Sequence, residues 1–98
     1  MHARVTKFTV EPGRIDDANE YYRSTVLAQA RELGGFKGGV ALLDRDGGNI
    51  FSFTLWENEE AMRASEEAGN RLRGQAASDL GFPTPVVERY EVGVLEID

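Results

Sequence analysis

Ser52, Thr54 and Trp56 fall at every second position of the stretch Asn49-Ile-Phe-Ser-Phe-Thr-Leu-Trp-Glu-Asn58, so on an extended strand they share one face. Two hydroxyls and an indole on one face can line a pocket for a small apolar or aromatic ligand. The indole would give it a flat wall and an N–H donor. The same three residues also suit a half-buried strand packed under a helix, and the sequence leaves both readings open. Tyr22 sits on an apolar helical stripe. It either packs in the core or offers its phenol to a bound aromatic as a hydrogen-bond partner or proton donor. Arg4, Arg71, Arg73 and Arg89 can each clamp a carboxylate or enolate, with Arg73 the chosen anion partner; ordinary surface charge is the alternative.

Other chemistries are excluded by what is missing. The chain has no cysteine, hence no disulfide, thiolate nucleophile or Cys-based metal site. His2 is the sole imidazole. Its place in the first residues predicts a frayed, solvated side chain. The Asp and Glu spacings match no metal loop, so no metal and no cofactor is expected. The glycine-rich run 34–39 precedes a strand instead of opening a helix, so it lacks the amide dipole that a phosphate needs.

The formal charge of −6 is uneven. Residues 1–49 carry seven basic and seven acidic side chains, whereas residues 50–98 carry four and ten. Nucleic acid and anionic membrane, which both require a basic patch, are thereby disfavoured as partners. No stretch approaches the ~20 apolar residues of a membrane span and the first residues show no apolar leader, so a cytoplasmic location is expected.

The elements that must position these side chains follow from periodicity. Residues 3–10 alternate and are rich in β-branched types, predicting a first strand closed by Pro12-Gly13. Residues 14–33 predict a helix with Asp16, Asp17 and Glu20 in its early turns and an apolar stripe through Ile15, Ala18, Tyr22, Val26, Ala30 and Leu33. Phe36–Asp44 is the second strand, whose run Val40-Ala-Leu-Leu suggests burial on both faces. Asp44-Arg-Asp-Gly-Gly-Asn49 is a hairpin turn.

Residues 50–57 form the third strand, with Phe51, Phe53 and Leu55 opposite the Trp56 face. Asn58 caps a second helix carrying a small-residue stripe of Ala61, Ser65, Ala68, Leu72 and Ala76. Gly69 within it admits a kink or a close approach. Residues 78–85 read as a loop and residues 86–97 as a long final strand.

The order β-α-β-β-α-β predicts one α+β, ferredoxin-like domain over residues 1–98, with an antiparallel four-stranded sheet and both helices on one face. If the Trp56 face lies under the helices, the sheet face carrying Phe51, Phe53 and Leu55 is left uncovered; in the swapped assignment the Phe face is covered, but Val40-Ala-Leu-Leu still calls for burial on both sides. A two-fold partner presenting the same face is the simplest remedy, so a homodimer is expected.

Gly35-Phe36-Lys-Gly38 before the second strand, the Gly47-Gly48 hairpin, and the junction Leu55-Trp56-Glu57-Asn58-Glu59-Glu60-Ala61 together resemble the antibiotic-biosynthesis monooxygenase-like group of dimeric α/β barrels. The resemblance covers about residues 3–97. It implies two ferredoxin-like sheets paired into a barrel, each subunit keeping a pocket between sheet and helices. Some members oxygenate polycyclic aromatics without metal or flavin; others bind and cleave haem.

The haem-degrading type uses an Asn on the first strand, a Trp at the end of the third and a His on the second helix. Trp56 matches the Trp. Thr6 stands about where the Asn is expected, and residues 59–77 contain no His. Haem ligation by an imidazole from that helix is therefore excluded. The Asn used by some cofactor-independent oxygenases is missing too. One expectation from the resemblance is a cofactor-independent monooxygenase of small aromatics, with Trp56, Tyr22, Ser52, Thr54, Thr6 and Arg73 around the ligand. The alternative is a non-catalytic ligand-binding or stress-related barrel protein.

Overall fold

The computed structural model describes the backbone of residues 1–98 and the side chains of all but residues 79 and 80. Four strands, β1 (His2–Thr9), β2 (Phe36–Asp44), β3 (Asn49–Trp56) and β4 (Val86–Glu91), form an antiparallel sheet in the order β2-β3-β1-β4. A helical layer of α1 (Ile15–Tyr21), a π-helical turn (Tyr22–Val26) and α2 (Leu27–Ala30) connects β1 to β2. A second layer, α3 (Glu59–Ala64) and α4 (Glu66–Leu80), connects β3 to β4. This is the expected ferredoxin-like β-α-β-β-α-β arrangement.

Alternation in β3 is complete. Ile50, Ser52, Thr54 and Trp56 are buried under the helices, while Phe51, Phe53 and Leu55 on the other face are only half-buried. Asn58 caps α3 as expected, its Oδ1 accepting from the Ala61 N–H at 2.8 Å.

The first helical run carries an irregularity with a cause in its spacing. Its stripe advances through Ala18, Tyr22, Val26 and Ala30 in three successive steps of four. On a regular helix that would carry the stripe about 120° around the axis. The wide turn at Tyr22–Val26, where the Leu27 N–H bonds to the Tyr22 carbonyl, takes up this drift. Tyr22 and Ala30 are accordingly both buried.

Four expectations are corrected. The second helical run is two helices, broken at Ser65, whose hydroxyl donates to the Met62 carbonyl at 2.6 Å. It also continues to Leu80, so the expected loop is shortened to residues 81–85, beginning at Gly81, whose φ of 68° stops the helix. The final strand ends at Glu91, six residues short of its expected end: its last ladder partner is His2, and beyond it a single bond from the Val92 N–H to the Met1 carbonyl at 2.9 Å remains. Val40 and Leu42 are exposed at 43% and 49%, since β2 is an edge strand with one open face. The uncovered sheet face thus brings together Val40 beside Phe53, Leu42 beside Phe51, and Val5 beside Phe53.

Candidate functional site

The core between sheet and helices is two apolar clusters with a polar band between them. One cluster gathers Val10, Ile15, Ala18, Ile50, Ala76 and Phe82. The other gathers Ala30, Trp56 and Met62, with Leu33, Phe36 and Ala61 packed around them. Between them β1 and β3 set four buried polar residues side by side, Arg4 opposite Thr54 and Thr6 opposite Ser52. Buried polar groups cost free energy unless they are bonded or face water or a ligand. Above this patch lies a cavity of about 70 Å³, roofed by Tyr22, Val26 and Gln29 on one side and by Ala68, Gly69 and Leu72 on the other.

All six residues chosen from the sequence, Trp56, Tyr22, Ser52, Thr54, Thr6 and Arg73, line this one cavity. Their roles differ from expectation in detail. Trp56 is fully buried, with Phe36 edge-on at 5.5 Å between ring centres. Its Nε1–H donates to Thr54 Oγ1 at 3.0 Å, so the indole offers the cavity a wall and keeps its donor for the strand. The ring of Tyr22 lines the cavity, but its hydroxyl donates to the Phe53 carbonyl at 2.7 Å. Burial pushes the phenol up to about 12. Gly39 makes this possible, because a methyl group there would stand 2.6 Å from the Tyr22 hydroxyl and 2.5 Å from Leu27. Tyr22 is therefore a peg between helix and sheet, and a weak acid.

Arg4, for which the sequence allows either an anion clamp or surface charge, is buried. Its Nη1 donates to Ser65 Oγ at 2.8 Å and approaches the Met62 carbonyl at 3.5 Å, and its guanidinium stands 5.7 Å from the Trp56 ring centre. The break between α3 and α4 is what turns Ser65 and the Met62 carbonyl toward it. Glu66, the first residue of α4, lies 3.4 Å from Arg4 and 3.9 Å from Arg73, and accepts two bonds from Arg89 at 2.7 and 2.8 Å. The Arg89 hydrogen bonds hold its carboxyl below the usual range. Burial lowers the pKa of both Arg4 and Arg73, and in Arg73 the nearby Arg4 charge adds to it. Sequence spacing did not connect Arg4 with Glu66; the helix break that brings them together has only Ser65 as its mark.

His2 is also placed differently from the expected frayed side chain. It pairs within β1 opposite Trp56, its Nε2 lies 3.4 Å from Glu59, and its Nδ1 is buried without a partner among the described residues. It does not line the cavity. No carboxylate or imidazole is found among the described residues around the cavity, and no group of three potential metal ligands comes together among the described residues. No described helix is long and apolar enough to cross a membrane.

No family model matches the chain. Two uncharacterized proteins of Mycobacterium tuberculosis, Rv2557 and Rv2558, are 31% and 32% identical to it over its full length. The chain spans only 43% and 41% of their lengths. Among solved structures, the ActVA-Orf6 monooxygenase of Streptomyces coelicolor, in complex with nanaomycin D, superposes with a TM-score of 0.72 at 20% identity, covering 99% of this chain and 92% of that one. The cofactor-independent oxygenase SnoaB of Streptomyces nogalater gives 0.68 at 18%, covering 96% and 94%. The haem degrader MhuD of M. tuberculosis, with two haems bound, gives 0.73 at 20% and covers both chains fully. The chain has the fold of these three proteins.

Proposed function

We propose that this chain binds a small aromatic molecule in the cavity between sheet and helices and oxygenates it without a cofactor, acting as a homodimer. The observation that carries the reading is the cavity itself. A buried indole wall and a floor of hydroxyls and a guanidinium form an apolar slot with few polar groups, the usual make-up of a small-molecule site. The oxygenases sharing the fold support the reaction class.

The chemistry asks little of side chains. An electron-rich phenol that loses its proton can react with O₂ at a ring carbon. Cleavage of the O–O bond then leaves a carbonyl there and releases one water. The substrate supplies all the electrons, so the protein's work is to hold the ring, exclude water and stabilise negative charge. Trp56 would hold the ring; the Thr6 and Ser52 hydroxyls and the arginine side of the cavity would face the charge. The uncovered sheet face with Val40, Leu42, Phe51 and Phe53 would be closed by a second copy of the chain.

A second reading is non-catalytic ligand binding by the same cavity. The specific observation favouring it is that the one phenol directed at the sheet floor, Tyr22, is tied to a carbonyl and raised to about 12. Oxygen uptake separates the two. With a panel of electron-rich naphthols, one O₂ should be consumed per quinone formed, and Trp56→Phe should abolish it. Ligand-dependent quenching of Trp56 fluorescence with no oxygen uptake would establish the binding protein instead.

A further inference from the structure

We propose that the cavity selects a singly anionic aromatic, whose carboxylate, phenolate or enolate oxygen is held between Arg4 and Arg73 over Gly69. This rests on the cavity being a ligand site, as proposed above. Three guanidiniums, Arg4, Arg73 and Arg89, surround one carboxylate, Glu66. That carboxylate accepts a two-bond fork from Arg89 and also lies 3.4 Å from Arg4 Nη1, but it stands 3.9 Å from Arg73, so one negative charge is shared among three positive ones. Positive charge is therefore left over on the cavity side.

The leftover charge is aimed. The hydrogen bonds of Arg4 run through Nη1, to Ser65 and Met62. That of Arg73 runs through Nη2, to Asn70 Oδ1. The other terminal nitrogens, Arg4 Nη2 and Arg73 Nη1, flank the same point of α4, where a methyl group on Gly69 would stand 3.1 and 3.2 Å from them. Glycine at this position keeps the gap open at a cost of about 1 kcal/mol to the helix. Two desolvated like charges converging on one point disfavour each other, and an anionic oxygen between them removes that cost.

The rest of the lining agrees. No carboxylate or imidazole among the described residues faces the cavity, so the site has no base of its own to ionise a neutral ligand. A ligand that arrives as an anion needs none. The overall charge of −6 repels anions at long range, which tells against multiply charged ligands and leaves a single charge read at close quarters.

Calorimetric titration of the purified protein with 2-naphthoate and with its neutral isostere 2-naphthamide tests this. The carboxylate should bind roughly tenfold or more tightly than the amide, the size expected of charge-assisted hydrogen bonds. Arg73→Gln should bring the two close to parity. Gly69→Ala, which favours the helix, should weaken naphthoate binding and spare the amide. Equal affinities in the unaltered protein, or a preference that survives both substitutions, would overturn the charge selection while leaving the cavity a ligand site. If neither compound binds, the ligand site itself fails and the selection with it.

Discussion

The indole N–H of Trp56 is bonded to the hydroxyl of Thr54, two residues back on the same face of β3, at 3.0 Å. The bond lies inside the protein, with Thr54 7% exposed and Trp56 fully buried. Thr54→Val keeps the shape and removes the acceptor, so it should cost about 1–3 kcal/mol in denaturant unfolding, the penalty for a buried donor left unpaired. Thr54→Ser should recover most of that. A Thr54→Val protein as stable as the parent would mean the indole finds another acceptor.

Glu66 offsets three guanidiniums, and its folded pKa is depressed chiefly by Arg89. A depressed carboxylate contributes stability that is fully present above its unfolded value, near 4.5, and is lost as pH falls through the folded value. Stability should therefore drop on acidification below about pH 4.5, and Glu66→Gln should flatten that part of the profile. At neutral pH the same substitution leaves Arg4 buried without its counter-charge and should cost about 3 kcal/mol. Unchanged acid-limb unfolding in Glu66→Gln would place the pH sensitivity elsewhere.

Tyr22 reports the fit of the first helical layer on the sheet. Its phenol is raised to about 12 by burial, so the stability it contributes is fully present below its ordinary value near 10 and is lost as pH rises through 12. The ultraviolet titration difference between the parent protein and Tyr22→Phe should show one phenol ionising near 12. Gly39→Ala would set a methyl group against both the Tyr22 hydroxyl and Leu27, and should destabilise by about 1–3 kcal/mol. A Gly39→Ala protein with a parental melt would show that the layer lifts freely.

A dimer predicts sedimentation at twice 10.8 kDa at micromolar concentration. Leu42 is 49% exposed on the open face, beside Phe51. Leu42→Asp should give a folded monomer, because a charge at an apolar interface is desolvated without a partner. A stable monomer of the parent chain would sink the dimer.

Much of this was written in local sequence. The alternation of β3 separated its two faces without saying which lies under the helices, Asn58 marked the start of α3, and the order of elements fixed the architecture, because each depends on neighbours a few residues apart. The six residues chosen from the sequence line one cavity because they lie on facing surfaces of that architecture. The buried Arg4 was not legible. Its partners Ser65 and Glu66 are about sixty positions away, and it is the break between two helices, a tertiary compromise, that turns them inward. The shorter β4 was missed because strand length is set by the partner strand, and apolar alternation in residues 92–97 continues where pairing does not. The wide turn did leave a trace in its three steps of four, which reads as an ordinary stripe until the drift is added up.

That turn has a kinetic consequence. A cavity of about 70 Å³ holds a few waters, so a two-ring aromatic enters only if part of its roof yields. The stretch Tyr22–Val26 departs from α-helical bonding in the roof, its wide turn closed by the Leu27 N–H to Tyr22 carbonyl bond. Its amides should exchange with deuterium faster than those of α1, and should slow when a ligand is bound. The gatekeeping step would then be local breathing of one turn, and its opening rate would set the upper limit on how fast anything reaches Trp56.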